Sequence, residues 1–306
     1  MLLAACHADR EPLRVGLLVW PPYELLHVAD NRGYFGEQRI ELVDYSTPAA
    51  VMRAYENGVV DAVALTSTFL NGLGVADPEQ RVVLVIDFSA GGDALVGRPG
   101  VDDLVSLRGR RVGMEQSSLA GFLLMQALAH EDVDLSEVEV VPLDLPDQPG
   151  AFARGEVDAI ITYEPIVTTL VQQGGSVLFD SRQIPGEIVD VLITNATVIE
   201  RRAPELEALV RGFYRALEAF RTDPDGVAMI AARREGITPE EFLAALALTH
   251  VPDAVEGLEL LEADDGLLPH LRRMREFHAG RGRRLAEFDL DSVPDARFVR
   301  AALEEP

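Results

Sequence analysis

Lysine is absent from this chain of 306 residues: all 27 of its Lys-or-Arg positions are arginine. A Schiff base to pyridoxal phosphate or to a carbonyl substrate therefore has no side-chain amine to form on. Cysteine is nearly absent as well, and the single Cys6 excludes an internal disulfide and any multi-cysteine zinc site. The six histidines, at 7, 27, 130, 250, 270 and 278, form no His-x-x-x-His or His-Glu-x-x-His pair and read as surface or core residues, so no metal and no cofactor is expected. No run of 18 apolar residues occurs, the length a transmembrane helix needs. Positive charge is scarce, with 51 acids against 27 bases and a net charge of −24. That balance disfavours nucleic acid, whose phosphates need clustered Lys and Arg, and an anionic membrane surface.

What is present begins with a hydrophobic content of 48%, enough to bury a full core in two domains of ordinary size. At the start, Leu3-Ala4-Ala5-Cys6 resembles a bacterial lipobox, with an apolar residue, two small ones and then Cys. A lipobox closes a signal peptide with a basic start and an apolar core, and only five residues precede Cys6 here. The expectation is that Cys6 carries lipid and that residues 1–11 are the remnant of a signal peptide followed by a short tether.

Two stretches then repeat at one offset. Arg14-Val15-Gly16 recurs as Arg111-Val112-Gly113, and Gly58-Val59-Val60-Asp61-Ala62-Val63 recurs as Gly155-Glu156-Val157-Asp158-Ala159-Ile160, both 97 residues later. They read as two copies of one αβ unit. Each copy has a strand, a helix, a second strand, a helix ending at a glycine that takes a left-handed conformation (Gly58 or Gly155), and a fully apolar third strand. Apolar strands alternating with helices imply mostly parallel sheets covered on both faces. The stretches near 88–93 and 185–190 read as two crossings between lobes. The expected division is residues 12–92 with 188–306 as one lobe and residues 93–187 as the other. Residues from Val198 onward are expected to be mostly helical, packed on the first lobe, with 291–306 as an acidic surface tail.

In open α/β sheets ligands sit outside the carboxyl ends of the strands, and the loops there can be read directly. After the first strand comes "WPPYE", where Pro21 stiffens a loop carrying Trp20, Tyr23 and Glu24; Trp20 is the only tryptophan. Such an aromatic pair suits stacking on a flat or cationic ligand, or else staples the helix that follows. Thr66 and Ser67 close the third strand and either donate hydrogen bonds to a ligand or cap a helix. In the second copy Glu115, Ser117 and Ser118 open a helix whose amides attract polar groups. Tyr163 and Glu164 lie at the mirror position of Thr66-Ser67. Glu164 is expected to face the cleft opposite Trp20 and Tyr23, although it also fits a first-turn helix acid. Ser89, Asp93 and Asp190 flank the crossings.

These features resemble the periplasmic substrate-binding proteins of bacterial ABC importers, in the nitrate, sulfonate, taurine and thiamine-precursor group also called NMT1/THI5-like. The resemblance covers about residues 12–225 and rests on "HVADNRGYF" (27–35), "NGVVDAVALTSTF" (57–69), "DFSAGGDALV" (87–96), "DLVSLRGRRVGMEQSS" (103–118), "GEVDAIITYEP" (155–165) and "IPGEIVDVLIT" (184–194). It implies a two-lobed class II periplasmic binding fold with two hinge crossings. It also implies export, capture of a small-molecule solute by a monomer, and delivery to permease subunits served by a cytoplasmic ATPase. The chain departs from anion-binding members, whose sites often use a basic side chain. Its cleft loops carry no arginine but do carry Glu24, Asp93, Glu115, Glu164 and Asp190 beside aromatics. That composition favours an amine or a nitrogen heterocycle over a sulfonate or nitrate. An enzyme on the same fold, a pyrimidine-precursor synthase or a dehydratase of a chorismate-derived acid, is the other class to weigh. The missing lysine and internal cysteine count against the first of these.

Overall fold

The computed structural model describes residues 11–71, 79–280, 282 and 287–304; Cys6 and most of the expected tether lie outside these described residues. The strands are β1 (Leu13–Leu17), β2 (Ile40–Asp44), β3 (Ala62–Thr66), β4 (Gln80–Ser89), β5 (Asp93–Gly97), β6 (Arg111–Met114), β7 (Glu139–Pro142), β8 (Ala159–Tyr163), β9 (Ser176–Asp180), β10 (Val189–Asn195) and β11 (Thr249–His250). They form two sheets, in the orders β11-β4-β10-β3-β1-β2 and β7-β6-β8-β5-β9. Helices flank both, so the chain is α/β and two-lobed.

The repeat read at an offset of 97 residues is a structural repeat. β2-β1-β3 and β7-β6-β8 have the same order and are parallel throughout. The register matches residue for residue: Val15 pairs with Ala62 and Gly16 with Val63, while Val112 pairs with Ala159 and Gly113 with Ile160. The recurring polar residues also do the same work twice. The Arg14 amide donates to the Asp61 carboxylate at 2.8 Å and the Arg111 amide to the Asp158 carboxylate at 2.9 Å. The two guanidinium groups reach Gly58 O at 3.3 Å and Gly155 O at 3.0 Å. Both glycines sit just past a helix in the left-handed region, at φ 67° and 73°, where a Cβ costs energy. Each Arg–Asp pair thus satisfies a backbone amide at the start of its strand and fastens the loop entering the third strand.

The sheets are mixed, not uniformly parallel. β10 runs antiparallel between β3 and β4, and β5 runs antiparallel between β8 and β9. Each is the first strand laid down after the chain changes sheets, from β4 to β5 and from β9 to β10. A strand that arrives from the opposite sheet has no crossover helix to turn it round, and antiparallel pairing needs none. The two crossings are hydrogen-bonded to each other. Ser89 Oγ lies 2.8 Å from Ser181 Oγ, the Gly91 amide donates to Ser181 Oγ at 2.6 Å, and the Ser89 amide donates to Ile188 O at 3.0 Å.

Beyond β10 the described chain is mostly helical, with helices Ala196–Thr222, Pro224–Glu235, Pro239–Leu246, Ala254–Glu262, Leu267–Gly280 and Arg297–Glu304. The reading of 291–306 as a surface tail is corrected. Val293, Phe298 and Val299 are fully buried, the Val82 amide donates to Val293 O at 2.7 Å, and the last helix packs on helix Ala196–Thr222 and on β4. The helix Arg297–Glu304 is amphipathic, with Phe298 and Val299 turned inward and Glu304 exposed. Among the described residues no helix is long and apolar enough to cross a membrane.

Because the two Arg–Asp fasteners are equivalent, Asp61→Ala and Asp158→Ala should each destabilise the protein by about 1–2 kcal/mol, the cost of stranding a partly buried amide. Urea denaturation checks this; a loss confined to one of the two variants would show that the duplicated contacts are not energetically equivalent.

Candidate functional site

The strands of both repeats point their carboxyl ends at one space between the sheets. Trp20 and Tyr23 come from the turn after β1, where Pro21–Tyr23 form a single 3-10 turn and the Tyr23 amide donates to Trp20 O at 2.9 Å. Thr66 ends β3, Tyr163 ends β8, and Glu115 follows β6. Asp93 opens β5, and Asp190 lies in β10 beside Thr66 in register. Together these seven surround a cavity of about 350 Å³, completed by the apolar side chains of Leu18, Pro48, Leu65, Phe69 and Leu119. Trp20 and Tyr163 meet edge to face across the cavity, ring centroids 5.9 Å apart, so the two lobes touch through their aromatics.

The charge distribution in this space is one-sided. Asp93, Glu115 and Asp190 line the cavity without an arginine among the lining residues. A fourth acid, Asp87 of β4, lies behind Trp20, wholly buried, and pairs in register with Asp190. Trp20 Nε1 donates to Asp87 Oδ1 at 3.0 Å, and the Tyr23 hydroxyl donates to Asp190 Oδ2 at 2.9 Å. The second oxygens, Asp87 Oδ2 and Asp190 Oδ1, are buried without a hydrogen-bond partner. Carboxylates out of water and near one another resist ionisation. Burial pushes Asp93 up to about 7 against a hydrogen bond from Ser89, with the charges of Asp190 and Glu115 adding to it. Burial likewise raises Glu115 to about 7 against a hydrogen bond from Ser117. Asp190 rises to about 6, burial outweighing hydrogen bonds from Thr66 and Tyr23. Asp87 is raised well above the carboxylate range by burial and by the Asp190 charge. Among the described residues, no three of the His, Cys, Asp and Glu side chains are placed to hold a metal ion.

Seven of the fourteen residues nominated from sequence do not line this cavity. Glu24 is fully buried but turns away to Arg234, whose Nε donates to it at 2.8 Å; the same guanidinium also bonds Asp44. Glu164 accepts from the Thr168 amide and hydroxyl, both at 3.0 Å, so it is tied to the first turn of the helix Ile166–Gln172 and does not line the cavity. A carboxylate just before a helix is offered free amides by its own chain, and this local partner prevails. Ser67 bonds His270 Nε2 at 2.7 Å, and Ser117 caps the helix Ser118–His130 whose first residue is Ser118. Ser89 belongs to the crossing, where it accepts from the Asp93 amide. Pro21 shapes the turn that aims Tyr23. Sequence reading missed Asp87, although a lone acid inside the apolar strand "RVVLVIDF" was a visible signal.

The sequence profile described as "NMT1/THI5 like" matches residues 20–227, more than half of the chain, and the protein belongs to that family. It is 26% identical over 238 residues to the taurine-binding periplasmic protein of Escherichia coli strain K12, covering 75% of this chain and 72% of that one. Its fold is that of the alkanesulfonate-binding protein SsuA from Xanthomonas axonopodis pv. citri bound to MOPS, with a TM-score of 0.76 at 15% identity over 91% of this chain and 97% of that one. The desulfurization enzyme DSZB has the same fold, with a TM-score of 0.70 at 17% identity over 96% of this chain and 99% of that one.

Two outcomes are expected from the site's geometry. A Cβ on Gly92 would lie 2.6 Å from Trp20 Cη2, so Gly92→Ala should displace the indole and shift the emission of this sole tryptophan; an unchanged spectrum would show that the close approach is not needed. Asp93 in the ligand-free protein titrates near 7, above the ~3.9 of an unfolded aspartate. Its favourable contribution is therefore complete below about pH 4 and lost as pH rises to 7. Asp93→Asn should accordingly stabilise the free protein relative to wild type by roughly 1–4 kcal/mol at pH 8, and by much less at pH 4.5. Urea melts at the two pH values decide, and a destabilised variant at pH 8 would contradict the assignment.

Proposed function

We propose that this chain is the solute-binding component of a bacterial ABC importer that captures a small cationic or N–H-rich molecule, an amine or nitrogen heterocycle, in the interlobe cavity. Residues 12–92 with 188–306 form one body and 93–187 the other, closing about the crossings at Ser89 and Ser181. The protein works as a monomer in the periplasm or at the outer face of the cytoplasmic membrane, anchored through Cys6. It delivers its ligand to permease subunits driven by a cytoplasmic ATPase. The taurine-binding relative and the binding-protein fold support the transport class.

The single observation that carries the ligand class is the unneutralised acid cluster, Asp93, Glu115 and Asp190 with Asp87 behind them. A sulfonate or nitrate needs donors. Here the Trp20 and Tyr23 donors are already given to Asp87 and Asp190, and bringing an anion beside buried carboxylates costs both desolvation and repulsion. A cation reverses both terms: it supplies donors to the unpaired oxygens and faces the rings of Trp20 and Tyr163. An enzymatic reading finds less support. The buried Ser67–His270 pair is a nucleophile–base combination, yet neither residue lines the cavity.

The pH dependence of affinity tests the ligand's sign. Below about pH 7 the free cavity holds protons on Asp93 and Glu115. A cation binds their ionised forms and must release those protons, so its affinity should rise from pH 5 to 7, roughly tenfold per pH unit for each proton displaced, and level off above. Calorimetry with a panel of amines, nitrogen heterocycles, taurine, alkanesulfonates and nitrate reads this directly. A sulfonate or nitrate that binds and tightens as pH falls would overturn the proposal.

A further inference from the structure

The interlobe cavity has a side chamber. A second space of about 230 Å³ opens within the second lobe, between the helix Ser118–His130 and β8. Asp93, Glu115, Leu119 and Tyr163 line both spaces. Past that shared rim the chamber is walled by Ala120 and Leu123 of the helix, Leu145 of the turn after β7, and Ile161 and Thr162 of β8, all buried, with the Thr162 hydroxyl its one polar group. Acids therefore stand at the junction and mostly aliphatic groups beyond it. Resting on the cationic-ligand reading above, we infer that the ligand is a substituted amine: its charged nitrogen sits at the Asp93–Glu115 rim, and a short alkyl or aryl substituent extends into the Ala120–Leu123–Leu145–Ile161 chamber.

The chemistry of the two compartments requires a two-part ligand. A compact, fully hydrated cation would satisfy the rim and leave the chamber's apolar surface unfilled. A purely apolar ligand would fill the chamber and leave the rim carboxylates without a donor, at the cost of keeping them protonated. The chamber's volume sets the substituent's size. At ~30 Å³ per water-sized group, the space of about 230 Å³, part of it open to solvent and part shared with the rim, caps the substituent at about seven such groups and at fewer once the rim's share is taken out. Each methylene moved from water into such a lining should improve affinity about fourfold.

The test is a homologous series, methylammonium to hexylammonium, titrated at pH 8 with Trp20 fluorescence and calorimetry as readouts, beside the matching n-alkanesulfonates. Affinity should rise about fourfold per added methylene for the first few carbons and then level off or fall. Ala120→Leu, which fills the chamber, should flatten this rise while leaving methylammonium affinity within about twofold. Leu145→Ala, which enlarges it, should move the optimum to a longer chain, so the assignment stays testable if either variant folds poorly. Ammonium ions that bind with no dependence on chain length would overturn the chamber assignment and leave the cationic reading intact. Sulfonates that bind and gain with length while ammonium ions do not bind would overturn the cationic reading and retain the chamber. A chain-length dependence unchanged in both variants would place the substituent elsewhere and overturn the inference.

Discussion

Three carboxyl groups line one water-poor space between two sheets with a fourth buried behind it, and no basic side chain lines that space. The local arrangement answers to that constraint. The Trp20 indole and the Tyr23 hydroxyl are spent on holding Asp87 and Asp190, which fixes both aromatic rings against the cavity wall. The remaining charge is relieved by proton uptake, which is why Asp93 and Glu115 titrate near neutrality. Crowding acids out of water in this way costs the fold free energy that any charge-neutralising change in the cavity would recover.

The frame that creates this space comes from duplication. Each repeat ends its strands at the cavity, and each is locked by the same Arg–Asp–Gly device. The acids, by contrast, are not distributed by the repeat. Asp87, Asp93 and Asp190 come from β4, β5 and β10, the strands joined by the crossings, and β10 pairs with β4 in the first sheet. The most constrained charges thus sit next to the two segments that join the sheets. Ser89 links the two features, since its hydroxyl bonds Ser181 of the other crossing and accepts from the amide of Asp93.

The taurine-binding relative and the sulfonate-binding fold neighbour share this scaffold, and the cavity of this chain is acidic. A class II binding fold does not dictate the sign of its ligand. The sign is set by a few side chains at strand ends, and here those side chains are themselves buried, Trp20 and Tyr23 within the main hydrophobic core.

The sequence by itself determined the repeat, the crossings and the positions of the cavity loops. These depend on periodicity, on glycines that must adopt positive φ, and on apolar strands long enough to be buried on both faces, all of which are local properties. It also placed Trp20, Tyr23, Thr66, Asp93, Glu115, Tyr163 and Asp190, because strand ends in such sheets converge wherever the topology is known. Which acids face the cavity was decided only by the tertiary structure. Glu24 and Glu164 have the same chemistry as Asp93 and Glu115 and equally suggestive positions. Yet Arg234, 210 residues away in sequence, claims the first, and the Thr168 amide claims the second. A carboxylate goes to the nearest donor that folding supplies, and that donor is visible only once distant segments have been packed together.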